Sequence, residues 1–206
     1  MLNDNRRIKI AVLVSGGGTN LQALFDAEDK GILKSGEIVL VISDRPEAYA
    51  LERARKRNVE AVTIDRNAYN NAFYFETALI EALNKNEIEL IILAGFLRIL
   101  SERFIKQFEN RIINVHPSLI PSFCGKGFYG LKVHKAALDY GVKVTGATVH
   151  FVNEIPDGGK IIKQKAVEVL DGDTPETLQQ RVMREAEWII LPEAAEEVCY
   201  KLKQKD

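Results

Sequence analysis

The sequence is poor in cysteine and carries almost no net charge. Cys124 and Cys199 are the only cysteines among 206 residues, too few for a disulfide framework. A formal net charge of −1 argues against the strong basic field of a nucleic-acid-binding protein. Lys9 interrupts the first apolar run, and no run approaches the roughly 20 residues of a membrane span. The polar segment 1–7 lacks the apolar core of a secretory signal, so we expect a cytoplasmic protein with neither a nucleic-acid nor a membrane partner.

Histidine is also scarce. The three histidines are His116, His134 and His150, and neither they nor the two cysteines have metal-ligand spacing, so we expect no metal cofactor. No G-x-S-x-G turn occurs, which argues against a serine nucleophile. His134 lies in a predicted helix, where we expect surface or loop packing. His150 lies in a predicted strand, where it either supports a site or is a hydrogen-bonded core residue.

Apolar runs alternate with stretches of helical period along the chain. This pattern predicts an α/β fold, with a mostly parallel, Rossmann-like sheet and helices on both faces. Strands are predicted at 8–14, 38–42, 61–64, 90–94 and 111–116. Helices are predicted from about residue 20, from Pro46 in a first turn, over 68–84, from a cap at Ser101 to Phe108, and over 131–140.

The C-terminal part of the chain shows a different pattern. Two strands without an intervening helix, at 144–152 and 160–170, predict an antiparallel hairpin. A last long helix is expected to begin near Thr174 and Pro175, and Pro192 is expected to kink or divide it. Composition does not shift along the chain, so residues 1–206 are interpreted as one domain.

A glycine-rich loop follows the first strand, at the sheet edge where doubly wound proteins bind ligands. Its residues, 15–20, read Ser-Gly-Gly-Gly-Thr-Asn and lead into a helix, whose N-terminus attracts an anion such as phosphate. A tight strand–helix turn without a ligand explains the glycines equally well. Leu21 replaces the third glycine of the dinucleotide fingerprint, and Asp44 lies too far on for its ribose-binding acid. A nicotinamide cofactor is therefore disfavoured.

Asn114 and His116 end a predicted strand at the same edge of the sheet. Residues two apart on a strand share a face, so an amide and an imidazole lie side by side. Such a pair can polarise a carbonyl and stabilise a tetrahedral oxyanion. A capped strand end with a hydrogen-bonded core histidine is the alternative. Asp157 precedes Gly158, an ordinary turn signal, and only contact with His116 would give it a catalytic role.

Four segments together resemble the folate-dependent formyltransferases. They are residues 15–22, residues 94–100, the Asn-Val-His-Pro-Ser-Leu-Ile-Pro segment 114–121, and residues 148–152 with Asp157 following. The resemblance runs in the family's order from about Ile8 to Pro192, and the loop 15–22 narrows it to the branch that acts on glycinamide ribonucleotide.

The resemblance implies roles for particular residues. Catalysis is assigned to Asn114, His116 and Asp157, with His150 and Thr148 in support. Substrate phosphate is assigned to Gly18, Thr19 and Asn20, and the substrate ribose to Glu187. The folate pocket is assigned to Leu97, Arg98, Ile99, Leu100 and Asn114, with residues 152–157 closing over the pterin ring.

The implied reaction moves a formyl group from 10-formyltetrahydrofolate, a co-substrate, to the amine of glycinamide ribonucleotide through a tetrahedral intermediate. Asp157 is expected to raise the pKa of His116 and hold it charged. A monomer or homodimer is expected. The alternatives are formyltetrahydrofolate hydrolase, methionyl-tRNA formyltransferase and a non-catalytic, nucleotide-binding Rossmann-type regulator.

Two segments depart from the family pattern. The loop Phe123–Gly130 is longer than the family's shorter form, and its Lys126 is either a substrate contact or, as for most exposed lysines, a solvated side chain. Ile155, Pro156 and Lys160 replace the usual small residues around Asp157, which leaves the local loop geometry open.

Overall fold

The computed structural model describes residues 6–205. Its strands are β1 Ile8–Val14, β2 Gly36–Ser43, β3 Glu60–Thr63, β4 Leu90–Leu93, β5 Ile112–His116, β6 Val144–Phe151 and β7 Ile161–Glu168. Its α-helices are α1 Thr19–Asp29, α2 Tyr49–Lys56, α3 Ala72–Lys85, α4 Glu102–Gln107, α5 Leu131–Tyr140, α6 Pro175–Val182 and α7 Trp188–Lys203. No helix within 6–205 has both the length and the apolar character that a membrane span requires.

The seven strands form one sheet in the order β3-β2-β1-β4-β5-β6-β7. Strands β1 to β5 pair in parallel, and β6 and β7 are antiparallel to their neighbours. The Rossmann-like sheet and the C-terminal hairpin predicted from the sequence are therefore confirmed. The strand order reverses direction between β1 and β4, so the loops after these two strands flank a crevice suited to a ligand.

The two faces of the sheet carry separate apolar layers. Along β1, Ile10 and Val12 pack into the layer formed with α1, α2, α6 and α7, whereas Ala11 and Leu13 pack into the layer formed with α3 and α4. This alternation follows from the period of two in a strand. Because both faces are covered, β1 is an almost continuous apolar run, the feature that predicted it.

Two predicted helix starts are wrong. Helix α2 begins at Tyr49, and Pro46 lies in the turn before it, where the Ser43 hydroxyl accepts the Arg45 N–H at 3.1 Å. The predicted helix 68–84 begins at Ala72, because the Asn71 side chain accepts the N–H of Tyr74 and caps it. A short 3₁₀ turn, Arg66–Ala68, precedes that cap.

The last helical run is divided, but not at Pro192. A π-helical turn, Met183–Glu187, separates α6 from α7, and Pro192 lies inside α7. Proline has no N–H for the carbonyl of Trp188, four residues earlier, and its ring crowds that carbonyl. The wider π turn ends at Glu187, immediately before Trp188. Such π turns are frequent at functional sites.

The expected surface role of His134 is wrong. Its side chain is fully buried in α5, and neither ring nitrogen has a hydrogen-bond partner among residues 6–205. Burial, with a smaller contribution from the charge of His116, lowers the pKa of His134 to about 4. His134 is therefore a neutral core residue, three positions before the buried Ala137 on the inward face of α5.

Candidate active site

A cavity of about 770 Å³ lies at the carboxyl ends of β1, β4 and β5. Its walls include residues 17–20, 95–100, 114–117, 125–130 and 152–157, together with Glu187. All the predicted catalytic, phosphate, ribose and folate residues line this one cavity. The two supporting residues differ, since His150 lines it and Thr148 is buried beside it.

The glycine-rich loop has a backbone that requires glycine at Gly18. This residue caps α1 with a left-handed φ of 71°, and a Cβ there would lie 2.6 Å from the Cβ of Ala50. Helix α2 thus packs directly behind the loop, and Arg53 donates from Nε to the Gly17 carbonyl at 2.9 Å. The loop presents the N-terminus of α1, without an acidic residue in its first turn, to the cavity. This arrangement suits an anion.

Asn20 and Glu187 are joined although 167 residues separate them in sequence. Asn20 Nδ2 donates to Glu187 Oε2 at 2.7 Å, and both side chains are almost completely buried. Burial raises the pKa of Glu187 to about 7, against the opposing effect of the Asn20 hydrogen bond. The glycine-rich loop and the π-helical turn therefore meet at a carboxyl group that titrates near neutral pH.

The predicted catalytic residues meet across β5 and β6. Asn114 is paired with His150 in the antiparallel register, and their side chains lie 3.3 Å apart, from Nδ2 to Nε2. Asp157 Oδ2 lies 3.5 Å from His116 Nδ1, and its Oδ1 lies 3.6 Å from His150 Nε2. The contact between Asp157 and His116 is thus present, and the carboxylate lies between two imidazoles.

Neighbouring carbonyl groups determine which nitrogen of each histidine carries the proton. His116 Nε2 lies 2.9 Å from the Phe123 carbonyl, and His150 Nδ1 lies 2.8 Å from the Phe151 carbonyl. Because a carbonyl only accepts, these two nitrogens are the protonated ones in the neutral rings. The His116 nitrogen facing Asp157 then has a free lone pair, whereas His150 Nε2 accepts from Asn114 Nδ2. A proton arriving at His116 Nδ1 would form an ion pair with the carboxylate.

The net shift in the pKa of His116 runs against the expectation that Asp157 holds this ring charged. Burial lowers the pKa of His116 from its usual value and outweighs the opposing effects of the Asp157 charge and the Phe123 hydrogen bond. Burial acts to raise the pKa of Asp157, but its interactions with His150 and His116 and the Gly125 N–H bring the net shift down. A neutral imidazole therefore faces an ionised carboxylate.

The loop after β5 completes the site through backbone groups. Gly125 N–H donates to Asp157 Oδ2 at 2.8 Å, and Asp157 has a left-handed φ of 55°. Thr148 Oγ1 donates to the Ser118 carbonyl at 2.7 Å and accepts from Ile120 N–H at 3.1 Å, which anchors the start of the loop. The Phe123 carbonyl and Gly125 N–H were missed in the sequence, because any residue can supply a backbone group.

Residues after β4 form the other wall of the cavity. Leu97 and Ile99 expose their side chains, whereas Leu100 is buried. Arg98 Nε donates to Asp44 Oδ2 at 2.5 Å, and the Asp44 side chain is fully buried, so the charge of Arg98 is paired beneath the cavity surface. The sequence suggested Asp44 only as a ribose-binding acid, and no local pattern indicated its pairing with Arg98.

Two further features concern charges and metals. Lys126 lines the cavity from the loop after β5. Within residues 6–205, no group of three histidine, cysteine, aspartate or glutamate side chains is arranged to hold a metal ion.

A family model described as formyl transferase matches residues 8–195. The chain belongs to the formyl transferase family. The match includes both the glycine-rich loop and Glu187, so the whole cavity of this formyl transferase lies within the family's shared region.

Individual relatives of this formyl transferase were found by sequence and by structure. It is 45% identical over 94% of its length to the trifunctional purine biosynthetic protein adenosine-3 of Gallus gallus, and 37% identical over 94% to a chloroplastic phosphoribosylglycinamide formyltransferase of Vigna unguiculata. It spans only 18% and 62% of these relatives. A solved glycinamide ribonucleotide transformylase 1 from Symbiobacterium toebii is 45% identical, with a TM-score of 0.89 over 95% of this chain and 89% of that one.

Proposed function

We propose that this formyl transferase moves the formyl group of 10-formyltetrahydrofolate to the amine of glycinamide ribonucleotide. The observation that carries the proposal is a single cavity with an anion-binding loop at one part of its wall and the cluster of Asn114, His116 and Asp157 at another. Two solved relatives are named for the same acceptor or activity, from Symbiobacterium toebii at 45% identity and from Brucella melitensis at 41%.

The acceptor is proposed to lie along the wall formed by the glycine-rich loop and the π-helical turn. Gly18, Thr19 and Asn20 bind its phosphate through backbone N–H groups at the start of α1. Glu187 accepts hydrogen bonds from ribose hydroxyls, which a carboxylate with one protein donor has lone pairs to do. The acceptor's amine then points toward the catalytic cluster.

The folate is proposed to lie against the residues after β4. Leu97 and Ile99 supply exposed apolar surface for the flat ring, and backbone groups of residues 98–100 read its polar edge. Ile155, largely exposed in the segment 152–157, covers the ring from the other side. Because Arg98 is paired with Asp44, its side chain anchors this wall, and its backbone is the part available to the ligand.

The proposed reaction is direct attack of the amine on the formyl carbon. The C–N bond forms as the carbonyl π electrons move onto the formyl oxygen, and Asn114 Nδ2 donates to the resulting oxyanion. His116 Nε2–H becomes a second donor when it exchanges the Phe123 carbonyl for that oxygen. Breaking the bond from the formyl carbon to the folate nitrogen then releases the product.

The proton from the attacking amine needs an acceptor. The His116 nitrogen that faces Asp157 has a free lone pair in the neutral ring, and the carboxylate stabilises the imidazolium once it forms. Asp157 already lies next to His116 Nδ1. The proposed path of the proton from the amine to the imidazole therefore runs through a chain of water molecules. The proton finally moves to the folate nitrogen as it leaves.

An assay with both substrates tests the function. Protein mixed with formyl-folate and glycinamide ribonucleotide should change the folate absorbance at a rate proportional to enzyme, and omission of the ribonucleotide should abolish the change. A rate that persists without the ribonucleotide would indicate the hydrolase, and no change under any condition would indicate the non-catalytic regulator. The same preparation, run by size exclusion, tests the proposed monomer or homodimer.

A further inference from the structure

The side-chain amide of Asn20 is hydrogen-bonded within the protein. Its Nδ2 donates to Glu187 Oε2 at 2.7 Å, and within residues 6–205 no other hydrogen bond to this carboxylate is present. Its other polar atom, Oδ1, is buried and has no hydrogen-bond partner in the described part of the chain. An amide oxygen only accepts hydrogen bonds, so Oδ1 cannot bind a phosphate but can accept from a hydroxyl.

Glu187 depends on this contact because, within the described residues, its carboxylate has no other hydrogen bond or ion pair. It is the last residue of the π-helical turn, and burial and Asn20 are the two influences that set its pKa. The other charged or titratable side chains that line the cavity are Arg45, Arg98, Lys126, Tyr129, Glu154, Asp157, His116 and His150. None of them is hydrogen-bonded or salt-bridged to the Glu187 carboxylate within the described residues.

We propose that Asn20 is a positioning residue, whose side-chain amide orients the Glu187 carboxylate toward the sugar hydroxyls while its backbone N–H serves the phosphate. The inference rests on the proposed function, because it concerns how the same ribonucleotide is held. Asn20 is the second residue of α1, so phosphate bound at the start of that helix immobilises the residue that orients the ribose acid. The phosphate and sugar subsites therefore act as one unit.

The proposal predicts a particular pattern for Asn20→Ala. The KM for the ribonucleotide should rise roughly 10- to 100-fold at pH 7, the effect of losing a hydrogen bond to a charged group, with kcat changed less than about threefold. The Asn20 hydrogen bond acts to lower the pKa of Glu187, so its loss should move the inflection in KM to higher pH. Inorganic phosphate, as a competitive inhibitor, should retain its Ki within about twofold, because it uses the backbone.

The experiment compares KM between pH 6 and 9 for wild type, Asn20→Ala, Glu187→Gln and the double variant. Asn84→Ala, an exposed position on α3, is the matched control and should leave KM unchanged. In the Glu187→Gln background, the Asn20 change should raise KM less than it does in the wild type, since the amide oxygen accepts only a weaker, uncharged hydrogen bond. Asn20→Asp is isosteric but lacks the donor, so it should raise KM at least as much as Asn20→Ala. It takes the place of the alanine variant in this experiment if that variant unfolds.

Two results would overturn the inference while leaving the proposed function intact. One is an effect of Asn20→Ala on KM that is as large in the Glu187→Gln background as in the wild type. The other is a phosphate Ki that rises tenfold or more, which would make the side chain a phosphate ligand. A wild-type protein that does not formylate glycinamide ribonucleotide would instead refute the proposed function.

Discussion

Replacing Asp157 by asparagine separates the charge of this residue from its shape. Asparagine tolerates the left-handed φ of 55° and keeps an oxygen for the Gly125 N–H, so the fold should be retained and the melting temperature should change by only a few degrees. With the oxygen retained at the Gly125 N–H, the new amide nitrogen takes the place of Oδ1, next to His150 Nε2, and His116 Nδ1 loses the carboxylate charge that stabilises its protonated form. We expect kcat to fall about 10²- to 10⁴-fold, or about 3–5 kcal/mol of transition-state stabilisation.

The pH profile gives the same variant a second readout. Burial lowers the pKa of His116, so the neutral ring predominates above about pH 6.5 and wild-type kcat/KM should fall only as pH drops into the acid range. Asp157 acts to raise that pKa, so its replacement should move the acid limb to still lower pH. Asp139→Asn, at an exposed position on α5, is the matched control. The reasoning would be refuted by wild-type activity that declines as pH rises through 6.5, or by Asp157→Asn retaining more than a tenth of kcat.

Three further predictions concern the acceptor end of the cavity. Arg53→Ala removes the donor to the Gly17 carbonyl. Steady-state kinetics should then show a several-fold higher KM for the ribonucleotide with kcat preserved, and an unchanged KM would show that the loop needs no support from α2. Gly18→Ala should lower the free energy of unfolding by at least about 1 kcal/mol in urea, because its Cβ would meet Ala50 at 2.6 Å and φ is 71°; equal stability would contradict this packing. The pKa of Glu187 is raised from 4.5 to about 7, so its stabilising effect on the fold is complete below pH 4.5 and is lost as pH rises through 7. Glu187→Gln should remove that loss of stability, at most about 3 kcal/mol, when thermal unfolding is compared at pH 5 and 8. The same pH dependence of stability in wild type and variant would refute this.

The sheet was predictable because its residues obey local rules. Apolar runs buried on both faces, such as β1, exclude most alternatives, and the hairpin of β6 and β7 followed from two strands without a helix between them. Helix starts were less predictable, since the Asn71 cap overrides an apolar period that begins earlier. His134 carried a usable signal in its spacing of three from Ala137, which places it on the inward face of α5. The assignment of residues 1–206 to one domain remains a prediction.

The candidate site was predictable residue by residue but not in its electrostatics. Strand periodicity placed Asn114 beside His116, and the resemblance supplied Asp157, which was otherwise an ordinary turn residue. The pKa of His116, however, depends on how deeply the folded chain buries it, a quantity that sequence spacing does not contain. The link from Asn20 to Glu187 spans 167 residues and was equally inaccessible to local rules.

The loop Phe123–Gly130, expected from the sequence to be longer than the family's shorter form, completes the proposed catalytic cluster. The Phe123 carbonyl determines which His116 nitrogen carries the proton, and Gly125 N–H binds the Asp157 carboxylate. Both contacts come from the backbone, so side-chain changes at these two positions can leave them in place, whereas shortening the loop removes them. If the loop only covered the cavity, its removal would weaken substrate binding. Because it contacts His116 and Asp157, its removal should also change the protonation of the imidazole in the proposed reaction.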